Sequence, residues 1–288
     1  MSLSTIERPS FSAPGLKWMN NGQSVISGEL LDAFRRVDQY FVKMGSQWEA
    51  EEYRFPIFIP AYELNKLDYF RSFPHLVTFP VTLDHSEENL ESFRSCEPVD
   101  DHGCMHMTRT AEIRDVLTPA ACYHFYIALQ GQTFNRPKYV TTLATCFRKE
   151  VEYHPLQRQW NFSMREIVCI GTQKEVQDYL RSFQETMKDL FRQLALPITF
   201  ENATDPFFKP STSPKYAMQK LDPVKTEMIF DNRLAIGSFN YHRSHFGETF
   251  ALDRDGAPSS TGCVAFGLER WLYALLMTYG HDCKKFPI

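Results

Sequence analysis

The chain has 288 residues, of which 43% are hydrophobic and 14% aromatic, so it can bury one sizeable core. Its formal net charge is −4, from 31 basic and 35 acidic side chains. Proteins that grip nucleic-acid phosphates usually carry a basic surplus, so this composition disfavours an RNA-binding protein. No apolar run approaches the ~20 residues that cross a bilayer, and the N-terminus lacks an apolar signal segment. We therefore expect a cytoplasmic protein without a membrane partner.

The pattern predicts an N-terminal arm over residues 1–28, irregular and rich in Pro, Ser, Gly and Asn, followed by a single domain over 29–288. Two stretches, about 85–103 and 173–222, are predicted to be insertions in that domain. A helix is expected from Glu29 to about Met44, because its apolar residues recur at helical spacing.

Further elements follow in chain order. Residues 55–60 are strand-like, although two prolines confine them to an edge or a break. A second helix is predicted across Cys122–Leu129, and the clearest one begins at Thr172, which has capping-box spacing to Glu175. Strands are predicted within 109–117, 138–150, 159–171, 227–230, 234–242 and 262–267, the last followed by a closing helix. This irregular alternation indicates an α+β fold with a mainly antiparallel sheet flanked by helices.

The first candidate site residues lie at the end of one strand and on the next. Arg148 and Glu150 are two residues apart, so in a strand they point to one face. A guanidinium can hold a phosphate through charge-assisted hydrogen bonds. The carboxylate beside it can accept a proton from an exocyclic amine, and Phe162 on the returning strand could lie flat against a base. This arrangement resembles motif 2 of the class II aminoacyl-tRNA synthetases.

The second candidate is the segment GCVAFGLERWL near the C-terminus, in which glycines beside a strand let a ligand approach the backbone. It resembles motif 3 of the same class, whose arginine contacts the terminal phosphate of ATP, and this role falls on Arg270. The resemblance covers about 29–280 and implies a class II synthetase-like core. It implies further ATP contacts at Gln157 and Arg158 of the motif 2 loop, and contacts through the backbone of Leu234, Ala235, Ile236 and Gly237. Glu227 matches a carboxylate on the strand beside the ATP site and is expected to be a substrate-binding residue.

The resemblance also implies a catalytic zinc site formed by Cys122, Glu166 and Cys263. The same three ligand types occur at these motif positions in atypical archaeal seryl-tRNA synthetases and in the amino acid:[carrier protein] ligases derived from them. Three ligands of this kind leave a fourth position open on zinc. The resemblance places the substrate's α-amino group in that position, so Glu166 is a substrate-binding residue as well as a metal ligand.

The chain most resembles the amino acid:[carrier protein] ligases. These enzymes form an aminoacyl adenylate from ATP and then load the phosphopantetheine thiol of a carrier protein. The resemblance implies Arg148 as the catalytic residue, Mg²⁺ with ATP, glycine or alanine as substrate, and a homodimer formed through residues 30–60. Leu234 stands where seryl-type enzymes have a metal-binding glutamate. Because few residues flank the predicted core and the charge balance is acidic, tRNA is not expected as a partner.

Three alternatives remain open at this stage. A minimal aminoacyl-tRNA synthetase would need a basic groove, which the composition does not indicate. A non-enzymatic synthetase-like regulatory or binding paralogue tends to lose the ATP-site arginines, whereas this chain keeps Arg148 and Arg270. The same adenylate chemistry could also serve a different acceptor, either another protein or a small molecule.

Overall fold

The structure, a computed structural model, describes residues 11–288. Its strands are β1 (Leu16–Met19), β2 (Gln23–Ile26), β3 (Glu51–Tyr53), β4 (Phe58–Pro60), β5 (Asp115–Leu117), β6 (Thr133–Phe134), β7 (Lys138–Phe147), β8 (Asn161–Gly171), β9 (Ile198–Ala203), β10 (Lys225–Phe230), β11 (Leu234–Arg243), β12 (Asp253–Arg254), β13 (Ala257–Pro258) and β14 (Ser260–Gly267). Its helices are α1 (Gly28–Ser46), α2 (Ala61–Lys66), α3 (Tyr69–Ser72), α4 (Glu87–Ser95), α5 (Tyr123–Ala128), α6 (Gln173–Gln193), α7 (Pro214–Leu221), α8 (His245–Phe250) and α9 (Leu268–Tyr279).

A seven-stranded sheet in the order β3-β7-β8-β14-β11-β10-β9 forms the centre of the fold. Every pair in it is antiparallel except β3 with β7, which confirms the predicted mainly antiparallel α+β fold. Small sheets of two or three strands surround it. Within residues 11–288, no helix is both long and apolar enough to cross a bilayer.

The two faces of the central sheet have different surroundings. On one face, the apolar side chains of α1, α6 and α9 form the larger core, which includes Ile167 and Cys169 of β8. On the other face, Val168 and Ile170 join a second apolar cluster with side chains from α2, α5 and α8. Because successive strand residues point to opposite faces, β8 is buried on both sides. The polar side chains of β8 therefore also alternate between the two faces.

Helix α6 begins as the sequence predicts. The Thr172 side chain accepts a hydrogen bond from the Glu175 backbone N–H, and the Glu175 carboxylate accepts one from the Thr172 N–H, which completes a capping box. The range 173–222, expected to be an insertion, nevertheless contributes to the core: α6 packs on the sheet, and β9 forms its edge by pairing with β10. The apolar side chains give the physical reason: the apolar face of α6 buries against the sheet, and Ile198 and Phe200 of β9 pack against the same core.

The N-terminal arm is also more ordered than predicted. Residues 1–10 lie outside the described part of the chain, but β1 and β2 form an antiparallel hairpin within 11–28. Its turn ends at Gly22, whose φ of +80° suits glycine. The Gly22 carbonyl accepts a hydrogen bond from the Trp160 backbone N–H at 3.1 Å, so the hairpin contacts the loop after Arg148. The Asn20-Asn21-Gly22 run is the turn signal that the irregular-arm prediction overlooked.

A buried ion pair joins α1 to the sheet. Arg165, only 2% exposed, donates two hydrogen bonds to the Asp38 carboxylate at 2.7 and 2.8 Å. A further bond of 2.7 Å reaches Glu52 on β3. Such bidentate, charge-assisted pairs fix geometry, and loss of one partner leaves the other charge buried. Arg165 thereby ties the first helix to the strand that also carries Glu166.

We predict that Arg165→Ala lowers the free energy of unfolding by about 3–5 kcal/mol, because Asp38 would keep a buried charge without its partner. Arg35→Ala is the matched control, since Arg35 pairs with Asp32 on the exposed face of α1, the helix that also carries Asp38. It should change stability by less than about 0.5 kcal/mol. Urea unfolding followed by circular dichroism measures both variants, and equal midpoints would contradict the assigned role of Arg165.

Candidate active site

A cavity of about 490 Å³ opens on the second face of the central sheet. This volume lies within the range of small-molecule sites. Thirteen of the fourteen site residues expected from the sequence line it: Cys122, Arg148, Glu150, Gln157, Arg158, Phe162, Glu166, Glu227, Ala235, Ile236, Gly237, Cys263 and Arg270. β7 ends at Phe147, so Arg148 and Glu150 stand just beyond the strand rather than within it, yet both still face the cavity.

Leu234 is the exception among the expected residues. It is the first residue of β11, and its half-buried side chain packs against the larger apolar core. The apolar side chain is more stable against that core than beside phosphates. The Leu234 side chain therefore does not line the cavity, and the expected backbone contacts of Leu234, Ala235, Ile236 and Gly237 with ATP stay a prediction.

Three arginines converge at one end of the cavity. Arg270 is held by two backbone carbonyls, since its Nε donates to Gln157 and its Nη1 to Ala235, both at 2.7 Å. Arg148 donates from Nε to the Pro119 carbonyl at 2.9 Å, and its guanidinium lies 5.2 Å from the centre of the Phe162 ring. Burial, together with the nearby Arg148 and Arg158, lowers the pKa of Arg270 to about 10. Repulsion of this kind is relieved by an anion, so the cluster suits a polyphosphate.

A buried carboxylate connects the motif 2 and motif 3 segments. Both oxygens of Glu269 accept from the Ser163 backbone N–H at 2.9 Å. Ser163 follows Phe162, and Glu269 precedes Arg270, so this contact fixes the aromatic ring relative to the arginine. Burial raises the pKa of Glu269 to about 7, although the Ser163 N–H favours its charged form.

Cys122, Glu166 and Cys263 meet beside the arginine cluster. Their ligand atoms all lie within 4.8 Å of one another, and each residue is no more than 5% exposed. β8 and β14 pair Glu166 with Ala265, which places Glu166 and Cys263 diagonally on the same face. Cys122 reaches them from the turn before α5. The sheet register thus brings together three residues that are far apart in the sequence.

The three side chains fit a cation. The Glu166 Oε2 atom is buried without a hydrogen-bond partner, which is costly for a carboxylate. Burial raises the pKa of Glu166, and the hydrogen bond with Cys263, together with burial, raises that of the Cys122 thiol. A divalent ion would favour the charged form of each group. Two thiolates and one carboxylate form a donor set that leaves one tetrahedral position open.

Comparison with known proteins agrees with this geometry. Residues 108–279, more than half of the chain, match the tRNA synthetase class II core domain (G, H, P, S and T). The chain is 36% identical over 245 residues to amino acid--[acyl-carrier-protein] ligase 1 of Bradyrhizobium diazoefficiens, covering 82% of this chain and 74% of that protein. The chain belongs to the amino acid--[acyl-carrier-protein] ligases. It is a ligase built on the class II synthetase core, as the motifs predict.

Two further comparisons support the assignment of family and fold. This ligase is 34% identical to amino acid--[acyl-carrier-protein] ligase 2 of the same organism, over 83% of the chain and 72% of that relative. The solved M. kandleri SerRS, in complex with A. aeolicus tRNASec, superimposes with a TM-score of 0.78 at 20% identity. The match covers 96% of this chain and 57% of that one, and at this identity it speaks for the fold alone.

The ligase has further residues at the site that the motif comparison missed. Ser238, Asn240 and His242 line the cavity from alternate positions of β11, and Glu269 lines it from the start of α9. The Asn240 side-chain amide donates to the Cys263 sulfur at 3.3 Å. The period of two along SFNYH was the signal available in the sequence, because it puts these three side chains on one face of a strand.

The raised pKa of Glu269 predicts a pH effect on stability. Its carboxyl pKa rises from an ordinary 4.5 to about 7, so its contribution is fully present below pH 4.5 and is lost as the pH rises through 7. Glu269→Gln should remove this loss. The difference in free energy of unfolding, variant minus wild type, should therefore be more positive at pH 7 than at pH 4.5, by on the order of 3 kcal/mol.

Urea unfolding of both proteins at several pH values measures the difference. Glu185→Gln, on the exposed part of α6, serves as the control and should follow wild type throughout. A difference between Glu269→Gln and wild type that stays constant across this window would contradict the assignment.

Proposed function

We propose that this ligase activates glycine or alanine with ATP and transfers it to the phosphopantetheine thiol of a carrier protein. In the first step a carboxylate oxygen of the amino acid attacks the α-phosphorus and pyrophosphate leaves. In the second step the thiol loses its proton, its sulfur attacks the adenylate carbonyl, and AMP leaves. The observation that carries the proposal is the single cavity in which three arginines lie beside Cys122, Glu166 and Cys263.

In this proposal the arginines bind and orient ATP. Arg148 stabilises the charge that develops on the α-phosphate, while Arg158, Arg270 and Gln157 hold the outer phosphates with Mg²⁺ accompanying the nucleotide. The two backbone bonds of Arg270 fix its guanidinium before ATP arrives, so little entropy is lost on binding. Phe162 and Glu150 hold the adenine, and Leu234–Gly237 offers backbone contacts. Glu227, which pairs with Lys225 at 3.3 Å, faces the same space.

Cys122, Glu166 and Cys263 are proposed to hold one zinc ion. When bound, zinc supplies a Lewis-acid position for the α-amino nitrogen. Arg148, at the neighbouring wall, would draw the substrate carboxylate toward the α-phosphate. Holding both reactants in this way supplies the proximity that such a step needs. The buried Glu166 oxygen without a hydrogen-bond partner supports the proposal that zinc binds here. The adjacent arginine cluster supports the proposal that the ATP phosphates bind beside it.

The acceptor and the assembly are parts of the same proposal. The names of the two ligases that are 36% and 34% identical to this chain support a carrier protein as acceptor. The acidic balance of the chain supports a protein acceptor over tRNA. The homodimer through residues 30–60 stays a prediction, supported by the exposed apolar side chains of Ile57 and Phe58 within that range.

The adenylate step is tested by pyrophosphate exchange into ATP with each of the twenty amino acids. Zinc-loaded wild type should support exchange with glycine, alanine or both. Arg148→Ala should reduce the rate by about 10²–10³-fold, because it removes a preorganised charge at the reacting phosphate. Arg181→Ala, on the exposed side of α6, is the matched control and should retain the wild-type rate. Absence of exchange with every amino acid, in folded zinc-loaded enzyme, would refute the proposal.

Metal content tests the zinc site independently of activity. Wild type should contain one zinc per chain by atomic emission spectroscopy, and Cys263→Ser should lose most of it because one of three ligands is gone. Cys169→Ser is the matched control, since Cys169 is equally buried but lies in the larger apolar core. Zinc retained by Cys263→Ser, or lost equally from Cys169→Ser, would show that the ion is held elsewhere.

A further inference from the structure

Successive residues of β11 contact different groups along the length of the cavity. At its start, the Ala235 carbonyl accepts from Arg270, at the arginine end. Further along, Asn240 donates to the Cys263 sulfur. Two residues beyond Asn240, where the register of β11 against β14 shifts, His242 also lines the cavity, farther along the strand from Ala235. Its Nε2 lies 3.8 Å from the Cys263 sulfur.

The His242 ring is held in place on its other sides. Its Nδ1 lies 3.1 Å from the Thr261 hydroxyl and 3.3 Å from the Tyr126 hydroxyl. The ring also meets Phe246 edge-to-face, with centroids 4.9 Å apart. Tyr126 and Phe246 stack on each other at 4.0 Å, and both are buried. A ring packed in this way cannot turn aside without breaking these contacts.

We propose that His242, supported by Tyr126 and Phe246, is the residue that limits the size of the substrate side chain. The inference rests on the proposed function, in which the amino group lies at Cys122, Glu166 and Cys263 and the carboxylate points toward Arg148. These two anchors fix the α-carbon between them and leave the side chain to meet the wall beyond Cys263. That wall is the His242 ring. Hydrogen or methyl fits in front of it, whereas a branched side chain overlaps the ring.

The test uses binding of unreactive adenylate analogues, the glycyl, alanyl and valyl sulfamoyl-adenosines, measured by calorimetry on the zinc-loaded full chain. Wild type should bind the glycyl or alanyl analogue more tightly than the valyl one. In His242→Ala the ratio of valyl to glycyl dissociation constants should fall by about tenfold or more, as expected when a pocket gains room for apolar groups. His245→Ala is the matched control: His245 lines the same cavity from the start of α8 and is exposed, so the ratio should stay at the wild-type value.

Metal analysis accompanies each variant. His242→Ala with one zinc per chain and a reduced ratio supports the assignment. An unchanged ratio at full zinc content overturns it, as does loss of zinc, which would make His242 a metal ligand instead. If wild type binds none of the three analogues, the proposed function fails first. The two failures are therefore distinguishable.

Discussion

The alternation of side chains along β8, between β7 and β14, is the constraint on which the site depends. Residues of one parity face the larger core, where Arg165 ties the strand to Asp38 of α1. Residues of the other parity, Phe162 and Glu166 among them, face the cavity. A shift of one residue in this register would exchange the two sets. The buried ion pair on one face thus helps to hold the register that builds the site on the other.

Two neighbouring parts of the site favour ligands of opposite charge. Burial, together with the neighbouring Arg148 and Arg158, lowers the pKa of Arg270, while Glu166 carries a buried oxygen without a hydrogen-bond partner. Each demand is met by a ligand of opposite sign: a polyphosphate at the arginines and a cation at the Cys/Glu/Cys group. In the proposed function, the amino group of the substrate lies at the Cys/Glu/Cys group and its carboxylate points toward the arginines. The backbone bonds of Arg270 and the Glu269–Ser163 contact keep these groups in place without ligand.

Sequence patterns predicted the fold and most of the residues that line the cavity, for reasons that differ between regions. The capping box of α6 and the period-two strands are local signals, and the motif 2 and motif 3 segments carry recognisable residues. Cys122, Glu166 and Cys263 were found through resemblance to a family, because spacing alone does not show that two strands and a turn converge. The network of Arg165, Asp38 and Glu52 and the packing around His242 escaped prediction, since tertiary contacts alone create them. Motif alignment did not reveal that the Leu234 side chain packs against the larger core, and the expected backbone contact of Leu234 with ATP stays a prediction.

The measurement that tests this account most directly is a crystal structure of the zinc-loaded enzyme with glycyl sulfamoyl-adenosine, using anomalous diffraction at the zinc edge. The account predicts one anomalous peak at about 2.3 Å from the sulfurs of Cys122 and Cys263 and about 2.0–2.2 Å from Glu166. The glycyl amino nitrogen should complete the coordination, and the sulfamate should face Arg148. An anomalous peak elsewhere, or a ligand whose amino group points away from these three residues, would contradict it.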